Sequence, residues 1–283
     1  MSRTPRAVAN LVGEIAVQGT DLAYRAMKPL AVAALMIGLA LPARAEMPSP
    51  TCDAPLDLVR LANPLARVAH KVASNEPIVI VAIGSSSTAG AGASTPAASY
   101  PSRLAVELTQ LFPKNPITVI NRGVNGEEVA DMLKRFDSAV VAAKPDLVLW
   151  QLGTNSIIRD HSLSAHESSI RGGLKKIRAI GADVVLIDPQ FAPKVIAKPE
   201  ATHMVELIAT TAKQEDVDLF RRFDVMKHWN EIDHMGFETF VAPDGLHLND
   251  WSYACMAKGL SMVIAEAAQR PILSATAMPH LVP

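Results

Sequence analysis

The chain has 283 residues, 49% hydrophobic and 19% charged, which is typical of a globular protein with enough apolar material for one large core. Its 27 basic and 28 acidic residues nearly cancel, and no cluster of Lys and Arg resembles the electrostatic footprint of a nucleic-acid-binding protein. The composition therefore excludes nucleic acid as an expected partner.

Residues 1–45 have the features of a secretory signal segment. Basic residues precede a 12-residue apolar run, Leu30–Leu41, and the sequence Ala43-Arg44-Ala45 follows it. The run is shorter than the ~20 residues that a bilayer-spanning helix needs. We therefore expect export, to the periplasm or outside the cell, and no stable membrane insertion after the segment is removed; an uncleaved N-terminal anchor is the alternative. Without residues 1–45, 22 basic and 26 acidic residues remain, a formal charge of −4.

Two cysteines follow this segment, Cys52 and Cys255. Because an exported protein meets an oxidising compartment, a disulfide between them is one interpretation, and two separate buried thiols are the other. The chain contains no C-x-x-C motif, so a structural zinc site has no support and we expect no metal or cofactor.

Residues 46–270 read as one domain, followed by a C-terminal tail at 271–283. A first helix is predicted where apolar residues recur at three- and four-residue steps between Leu58 and Val72. Five strands are predicted beyond it, alternating with helices near 101–112, 127–143, 162–180 and 200–215 and a last helix at 250–269. The strands are Ile78–Ile83, Ile117–Asn121, Leu147–Leu152, Val184–Ile187 and Val217–Phe223. Such alternation predicts an α/β fold with a parallel sheet of about five strands, whose carboxyl ends form the binding edge.

The first strand is followed by Gly84-Ser85-Ser86-Ser87-Thr88-Ala89-Gly90. A phosphate-binding P-loop is excluded because no Lys or Arg lies between Ala82 and Ser102. A dinucleotide fingerprint that begins at Gly90 fails, since Thr95 occupies its third glycine position. A nucleophilic serine at a strand-to-helix turn remains, although for this stretch taken alone an ordinary Ser- and Gly-rich connection is the better explanation.

Three further strand-end or loop segments carry chemistry-bearing residues. Gly126 follows the second strand in V-N-G-E-E, and Asn155 follows the third in L-G-T-N-S. Asp244 and His247 stand three residues apart just before the last helix, where a carboxylate is suited to orient an imidazole. Each of these signals is weak by itself, since turns and helix caps use the same residue types.

Taken together and in this order, the four segments resemble the SGNH hydrolases, also called the GDSL esterase/lipase superfamily. The resemblance covers about residues 78–265 and implies a three-layer α/β/α sandwich of the flavodoxin-like type. It implies Ser86 as the nucleophile and Asp244 and His247 as its partners. The oxyanion hole would be formed by the backbone N–H groups of Ser86 and Gly126 and by the side-chain amide of Asn155.

The chain departs from this family at two positions. Ser85 stands where the family has Asp in the segment of the nucleophile, and Ser156 stands where the family has Asp after the asparagine that corresponds to Asn155. Neither position is one of the catalytic or oxyanion-hole residues that the resemblance implies, but the family's two carboxylates would serve as hydrogen-bond acceptors that support Ser86 and Asn155. We interpret the two serines as a subfamily trait, since hydroxyls also accept and donate hydrogen bonds.

The resemblance implies a serine esterase that forms an acyl-enzyme, acting on a small-molecule or polysaccharide ester. Export and the family's many carbohydrate esterases favour O-deacetylation of a saccharide or an envelope polymer. The alternatives are a lipase, lysophospholipase or thioesterase, or a non-catalytic carbohydrate-binding protein on this scaffold. The loop at 188–200 is expected to flank the cleft. Trp229, Phe237 and Phe240 are interpreted either as a substrate wall or as packing residues, and His228 and His234 as surface residues.

Overall fold

The structure, a computed structural model, describes Cys52 and residues 55–270, which form one compact unit. All pairings of its five strands are parallel, and the strand order is β2-β1-β3-β4-β5. This is the flavodoxin-like order, and it confirms the predicted fold class. The strands are β1 (Ile78–Gly84), β2 (Ile117–Gly123), β3 (Leu147–Gln151), β4 (Asp183–Ile187) and β5 (Asp218–Phe220).

Burial along the strands shows which of them form the centre of the sheet. Every residue of β3 is buried, as are nearly all residues of β1 and β4, whereas the edge strand β2 is partly exposed along its length. The buried strands are rich in Val, Ile and Leu, as expected where helices cover both faces of a parallel sheet. Because β1 lies between β2 and β3, residues after these three strands meet at one point of the sheet edge.

The helices alternate with the strands and form two layers. In one layer the last helix packs against the helices Tyr100–Leu111 and Ala66–Ser74, and in the other the helix His166–Ala179 packs against the helices Val129–Lys134 and Ala201–Gln214. The helices are α1 (Leu56–Val59), α2 (Ala66–Ser74), α3 (Ser86–Ala89), α4 (Tyr100–Leu111), α5 (Val129–Lys134), α6 (Phe136–Ala139), α7 (Thr154–Ile158), α8 (His166–Ala179), α9 (Pro193–Ile196), α10 (Ala201–Gln214), α11 (Arg222–Glu231), α12 (Phe237–Phe240) and α13 (Asp250–Gln269).

Two of the predicted helices are divided into shorter elements in the structure. The helix predicted from the apolar spacing around Leu58–Val72 is divided into α1 and α2, with Pro64 between them. Proline has no N–H to donate and disfavours a helical conformation in the residue before it, so a continuous helix is disrupted there. The predicted helix at 127–143 is likewise divided, into α5, α6 and a 3-10 turn at Val141–Ala143.

The predicted strand Val217–Phe223 was wrong at its end. β5 stops at Phe220, and α11 begins at Arg222. The backbone N–H of Phe223 donates to Oδ1 of the Asp188 side chain at 2.9 Å, which satisfies one of the unpaired N–H groups at the start of the helix. This partner lies 35 residues away in the chain, so the local apolar pattern could not indicate the helix start.

A disulfide joins Cys52 to Cys255 on α13, with Cα atoms 5.1 Å apart. It ties the first described residue to the last helix. The predicted signal segment, 1–45, and the predicted tail, 271–283, lie outside the described residues. Within the part of the chain that the structure describes, no helix is long and apolar enough to cross a membrane.

Candidate active site

The residues predicted from the four sequence segments lie at the carboxyl edge of the sheet. Ser86 is the first residue of α3, directly after β1, and Asn155 lies in the first turn of α7 after β3. His247 lies in the turn before α13 and comes next to Ser86, although 161 residues separate them in the chain. The fold therefore assembles a site at the crevice where ligands bind in open parallel sheets.

A line of hydrogen bonds connects Ser86, His247 and Asp244. His247 Nε2 lies 2.9 Å from Ser86 Oγ, and His247 Nδ1 lies 2.5 Å from Asp244 Oδ2. The other carboxylate oxygen of Asp244 accepts the backbone N–H groups of Leu246 and His247, each at 2.9 Å. The D-x-x-H spacing thus lets one carboxylate fix both the turn and the imidazole.

The ionisation of Asp244 determines the tautomer of His247. Burial raises the pKa of Asp244, but the hydrogen bonds from His247 and Leu246 outweigh it and bring the pKa to about 2. At neutral pH the carboxylate therefore has no proton to donate, so Nδ1 of His247 is the donor in their hydrogen bond. In the neutral imidazole, the Nε2 lone pair then faces the Ser86 hydroxyl, which is the arrangement that a general base requires.

Hydrogen bonds also hold together the segments that carry the predicted oxyanion donors. The backbone N–H of Val124 donates to Gly84 O at 3.0 Å, which ties the loop after β2 to the turn that carries Ser86. Asn155 Nδ2 donates one N–H to Glu127 O at 2.8 Å. An amide nitrogen has two N–H groups, so the second is available to a ligand.

Gly126 lies in that same loop and has a φ of +80°, a conformation that favours glycine. A β-carbon at this position would also lie 3.2 Å from Arg159 Nη2. The backbone at Gly126 can therefore turn its N–H in a direction that other residues rarely adopt, beside a guanidinium group.

Gln151, the last residue of β3, compensates for the serine at position 85. Its Oε1 accepts both the backbone N–H of Ser85 at 2.8 Å and the Ser85 hydroxyl at 3.0 Å. Ser87 is fully buried, and its hydroxyl has no hydrogen-bond partner among the described residues. Of the three consecutive serines, only Ser86 contacts the imidazole, while Ser85 anchors the turn and Ser87 packs in the core.

Gln190, in the loop after β4, joins three parts of the site and was not identified from the sequence. Its Oε1 accepts Thr154 Oγ1 at 2.9 Å and Arg222 Nη2 at 3.0 Å, and its Nε2 donates to Leu246 O at 3.0 Å. Gln190 and Arg222 are almost completely buried. The sequence indicated only that the loop at 188–200 flanks the cleft, and nothing local pairs position 190 with 222 or 246.

Gly92 is a second residue that the sequence did not assign to the site. It has a φ of +88°, and a β-carbon there would lie 2.3 Å from Leu248 O and 3.0 Å from His247 Cβ. Only glycine lets the loop after α3 approach the histidine turn this closely. The glycine-rich stretch after the nucleophile is visible in the sequence. Its contact with the histidine turn is not, because that turn lies more than 150 residues further along the chain.

The aromatic residues near the C-terminus mostly serve packing. Trp229 and Phe240 are buried and lie edge to face, with ring centroids 5.8 Å apart. Phe237 is partly exposed and lines a pocket of about 410 Å³ beside the Asp244–His247 turn, together with Pro193.

The two histidines nearby differ in exposure. His234 is exposed, as predicted. His228, predicted to be a surface residue, is partly buried: 22% of its side chain is exposed, and its Nε2 lies 3.5 Å from Asp233 Oδ1.

The fold and the site define the class of protein, a lipase- or esterase-like hydrolase of the α/β type. The chain belongs to the Non-GDSL lipase-like family, whose model matches residues 51–270. A curated relative, an acetylxylan esterase from Geobacillus stearothermophilus, is 23% identical over 152 residues, which is 50% of this chain and 68% of that protein.

Solved structures show the same fold. A two-domain esterase active on acetylated mannans has a TM-score of 0.66 and 18% identity, covering 82% of this chain and 61% of its own. This chain thus spans about three fifths of that two-domain protein. The acetylxylan esterase structure from Geobacillus stearothermophilus has a TM-score of 0.56 and 18% identity, covering 66% of this chain and 94% of its own.

Proposed function

We propose that this protein is a serine esterase that removes O-acetyl groups from a saccharide or an envelope polymer. The observation that carries the proposal is the line of hydrogen bonds from Ser86 through His247 to the ionised Asp244. The two segments with amide donors at the same sheet edge, at Gly126 and Asn155, support it. Together with the D-x-x-H spacing they also support placing the chain among the SGNH hydrolases.

The geometry allows each step of ester hydrolysis to be assigned. His247 Nε2 takes the proton of Ser86 Oγ as this oxygen attacks the ester carbonyl carbon, and Asp244 stabilises the imidazolium that forms. The backbone N–H groups of Ser86 and Gly126 and the Asn155 amide donate to the oxyanion.

The C–O bond to the alcohol then breaks, and His247 gives the alcohol its proton, leaving an acetyl ester on Ser86. Water, deprotonated by His247, attacks this ester through a second tetrahedral oxyanion. Its collapse releases acetate and returns the proton to Ser86 Oγ.

The choice of substrate rests on the relatives. The two similar esterases are named for acetylated xylan and acetylated mannan, which supports an acetylated saccharide for this chain. A lipase-like function has one supporting observation: the pocket beside the Asp244–His247 turn is lined largely by apolar groups, including Pro193, Phe237 and Val241. Such a pocket could be filled equally well by an acyl chain or by the apolar face of a sugar ring.

Export belongs to the same proposal. The disulfide between Cys52 and Cys255 is of the kind that persists in oxidising compartments, and it agrees with the signal segment predicted for residues 1–45. N-terminal sequencing of the protein recovered from its host would test this proposal. A mature protein that begins near residue 46 supports it, and an intact N-terminus in the cytoplasmic fraction contradicts it.

The function is tested by kinetics on two sets of esters. We expect wild-type protein to hydrolyse p-nitrophenyl acetate, to lose rate as the acyl chain is lengthened to eight carbons, and to release acetate from acetylated xylan or mannan oligosaccharides. Ser86→Ala should abolish these reactions, whereas Ser87→Ala, the matched control, should retain them. A preference for long acyl chains would favour the lipase alternative. Binding of saccharides without any hydrolysis would favour the non-catalytic one.

A further inference from the structure

The carboxylate of Glu128 lies within hydrogen-bonding distance of three side chains close to the candidate oxyanion hole. It accepts the hydroxyl of Ser156 at 2.8 Å and Arg159 Nη1 at 2.6 Å, and it lies 3.0 Å from His161 Nδ1. The Glu128 side chain is only 15% exposed.

These partners connect the two segments that carry the oxyanion donors. Glu128 follows Gly126 by two residues in the loop after β2, and Ser156 is the neighbour of Asn155 in α7. Arg159, at the end of α7, reaches back until its Nη2 lies 3.2 Å from the position of a β-carbon on Gly126. The Glu128 carboxylate therefore connects Ser156 and Arg159, at α7, to the loop that carries Gly126.

The hydroxyl of Ser156 cannot rotate freely within this arrangement. It donates its single hydrogen to Glu128, so it accepts from His166 Nε2, which lies 2.6 Å away. His166 is 8% exposed. The order of donors from His166 to Ser156 to Glu128 fixes the first turn of α7, and with it the position from which Asn155 projects.

Glu128 remains ionised in this environment. Burial raises the pKa of Glu128, but hydrogen bonds from Arg159, His161 and Ser156 outweigh it, so the net shift is downward. A charged acceptor makes stronger hydrogen bonds than a neutral one, and Glu128 has three partners to hold.

We propose that Glu128 is a positioning residue for the oxyanion hole, one that sets Asn155 relative to Gly126 by binding Ser156 and Arg159. The inference rests on the proposed esterase function. Glu128 acts through its neighbours and does not touch the substrate.

A double-mutant cycle between Glu128→Ala and Asn155→Ala tests this role, with kcat and KM measured on p-nitrophenyl acetate and folding followed by circular dichroism. Glu128→Ala should lower kcat by about 10- to 100-fold, because a misplacement of about 1 Å has an effect of that order. KM should change little, since the interaction lost is made mainly in the transition state. In the Asn155→Ala background, Glu128→Ala should lower kcat by less than about threefold, because the amide that Glu128 positions is already absent.

Glu215→Ala is the matched control. Its side chain is 17% exposed and likewise binds two arginines, Arg171 and Arg178. Glu215, however, lies between α10 and the start of β5, at the amino ends of the strands and thus opposite the candidate site. We expect it to lower stability and leave kcat unchanged. If Glu128→Ala does not fold, Glu128→Gln, which keeps an oxygen for Ser156 but loses the charge, is put through the same cycle.

The proposal is overturned if the Glu128 variant keeps the kcat of the Glu215 control, or if the losses at positions 128 and 155 multiply. A wild-type protein without esterase activity would instead refute the proposed function itself, and this inference with it.

Discussion

The side-chain amide of Gln190 donates to the carbonyl oxygen of Leu246, the residue immediately before His247, at 3.0 Å. Gln190 also accepts from Thr154 and Arg222 and is completely buried. This hydrogen bond connects the loop after β4 to the turn that carries His247. The position of the general base therefore depends on a residue outside the predicted motifs.

Two substitutions of Gln190 should separate its two roles. Gln190→Glu keeps oxygens for Thr154 and Arg222 but has no N–H for Leu246, so kcat on p-nitrophenyl acetate should fall on the order of 10-fold or more while folding is kept. Gln190→Ala also leaves the buried Thr154 and Arg222 groups unpaired, which should cost about 1–3 kcal/mol of unfolding free energy for each. Equal kcat for Gln190→Glu and wild type would contradict this role.

Asn155→Ala should lower kcat by about 10²–10³, the usual cost of one lost oxyanion donor. Folding should be nearly unchanged, because the substitution removes a single, partly buried hydrogen bond, from Nδ2 to Glu127 O. Stopped-flow or steady-state hydrolysis of p-nitrophenyl acetate measures the first quantity, and thermal unfolding measures the second. A variant with wild-type kcat would show that Asn155 is not an oxyanion donor.

Removing the disulfide should destabilise the folded chain substantially. Cys52 and Cys255 are 203 positions apart, and the chain-entropy model assigns a loop of this size about 5 kcal/mol. We expect urea unfolding of the Cys52→Ala/Cys255→Ala variant to shift to a lower midpoint, and wild type in reductant to shift similarly. Superimposable unfolding curves with and without reductant would argue against a stabilising bond.

The buried carboxyl of Asp188 should make stability depend on pH. Burial raises the pKa of Asp188 from its ordinary value of 3.8 to about 7, although the Phe223 N–H and Arg222 act in the opposite direction. Between these values the unfolded carboxyl is ionised and the folded one is protonated, so the contribution of Asp188 to stability is greatest below pH 3.8 and declines as the pH rises toward 7.

Asp188→Asn should remove this dependence, so the Tm of wild type should fall relative to that of the variant as the pH rises from 4 to 7. Asp137→Asn, at a side chain that is 76% exposed, is the control and should show no such trend. A constant difference in Tm between wild type and Asp188→Asn over this range would contradict the prediction.

The elements that the sequence predicted well are those whose signals are local. The runs of Val, Ile and Leu in β1, β3 and β4 mark strands buried on both faces, and the α13 bounds, Asp250–Gln269, match the prediction. Ser86 and His247 were paired through a resemblance in motif order, and the structure brings these two side chains to 2.9 Å.

The supporting contacts of the site could not be predicted because they join distant parts of the chain. Gln190 meets Leu246 across 56 residues and Glu128 meets Ser156 across 28, and both distances depend on strand order and helix placement. The end of β5 was missed for the same reason, since the Asp188 side chain that accepts the Phe223 N–H in the first turn of α11 lies just after β4, 35 residues earlier in the chain. Patterns of hydrophobicity carry no information about such pairs.

The most direct test of the central claim is to treat the protein with a fluorophosphonate and locate the adduct by peptide mass spectrometry. A hydroxyl activated by His247 and faced by oxyanion donors should be phosphonylated, so we predict one adduct, on Ser86, with no labelling of Ser86→Ala and strongly reduced labelling of His247→Ala. An unmodified wild-type protein, or an adduct on Ser85 or Ser87 that persists in Ser86→Ala, would contradict the account.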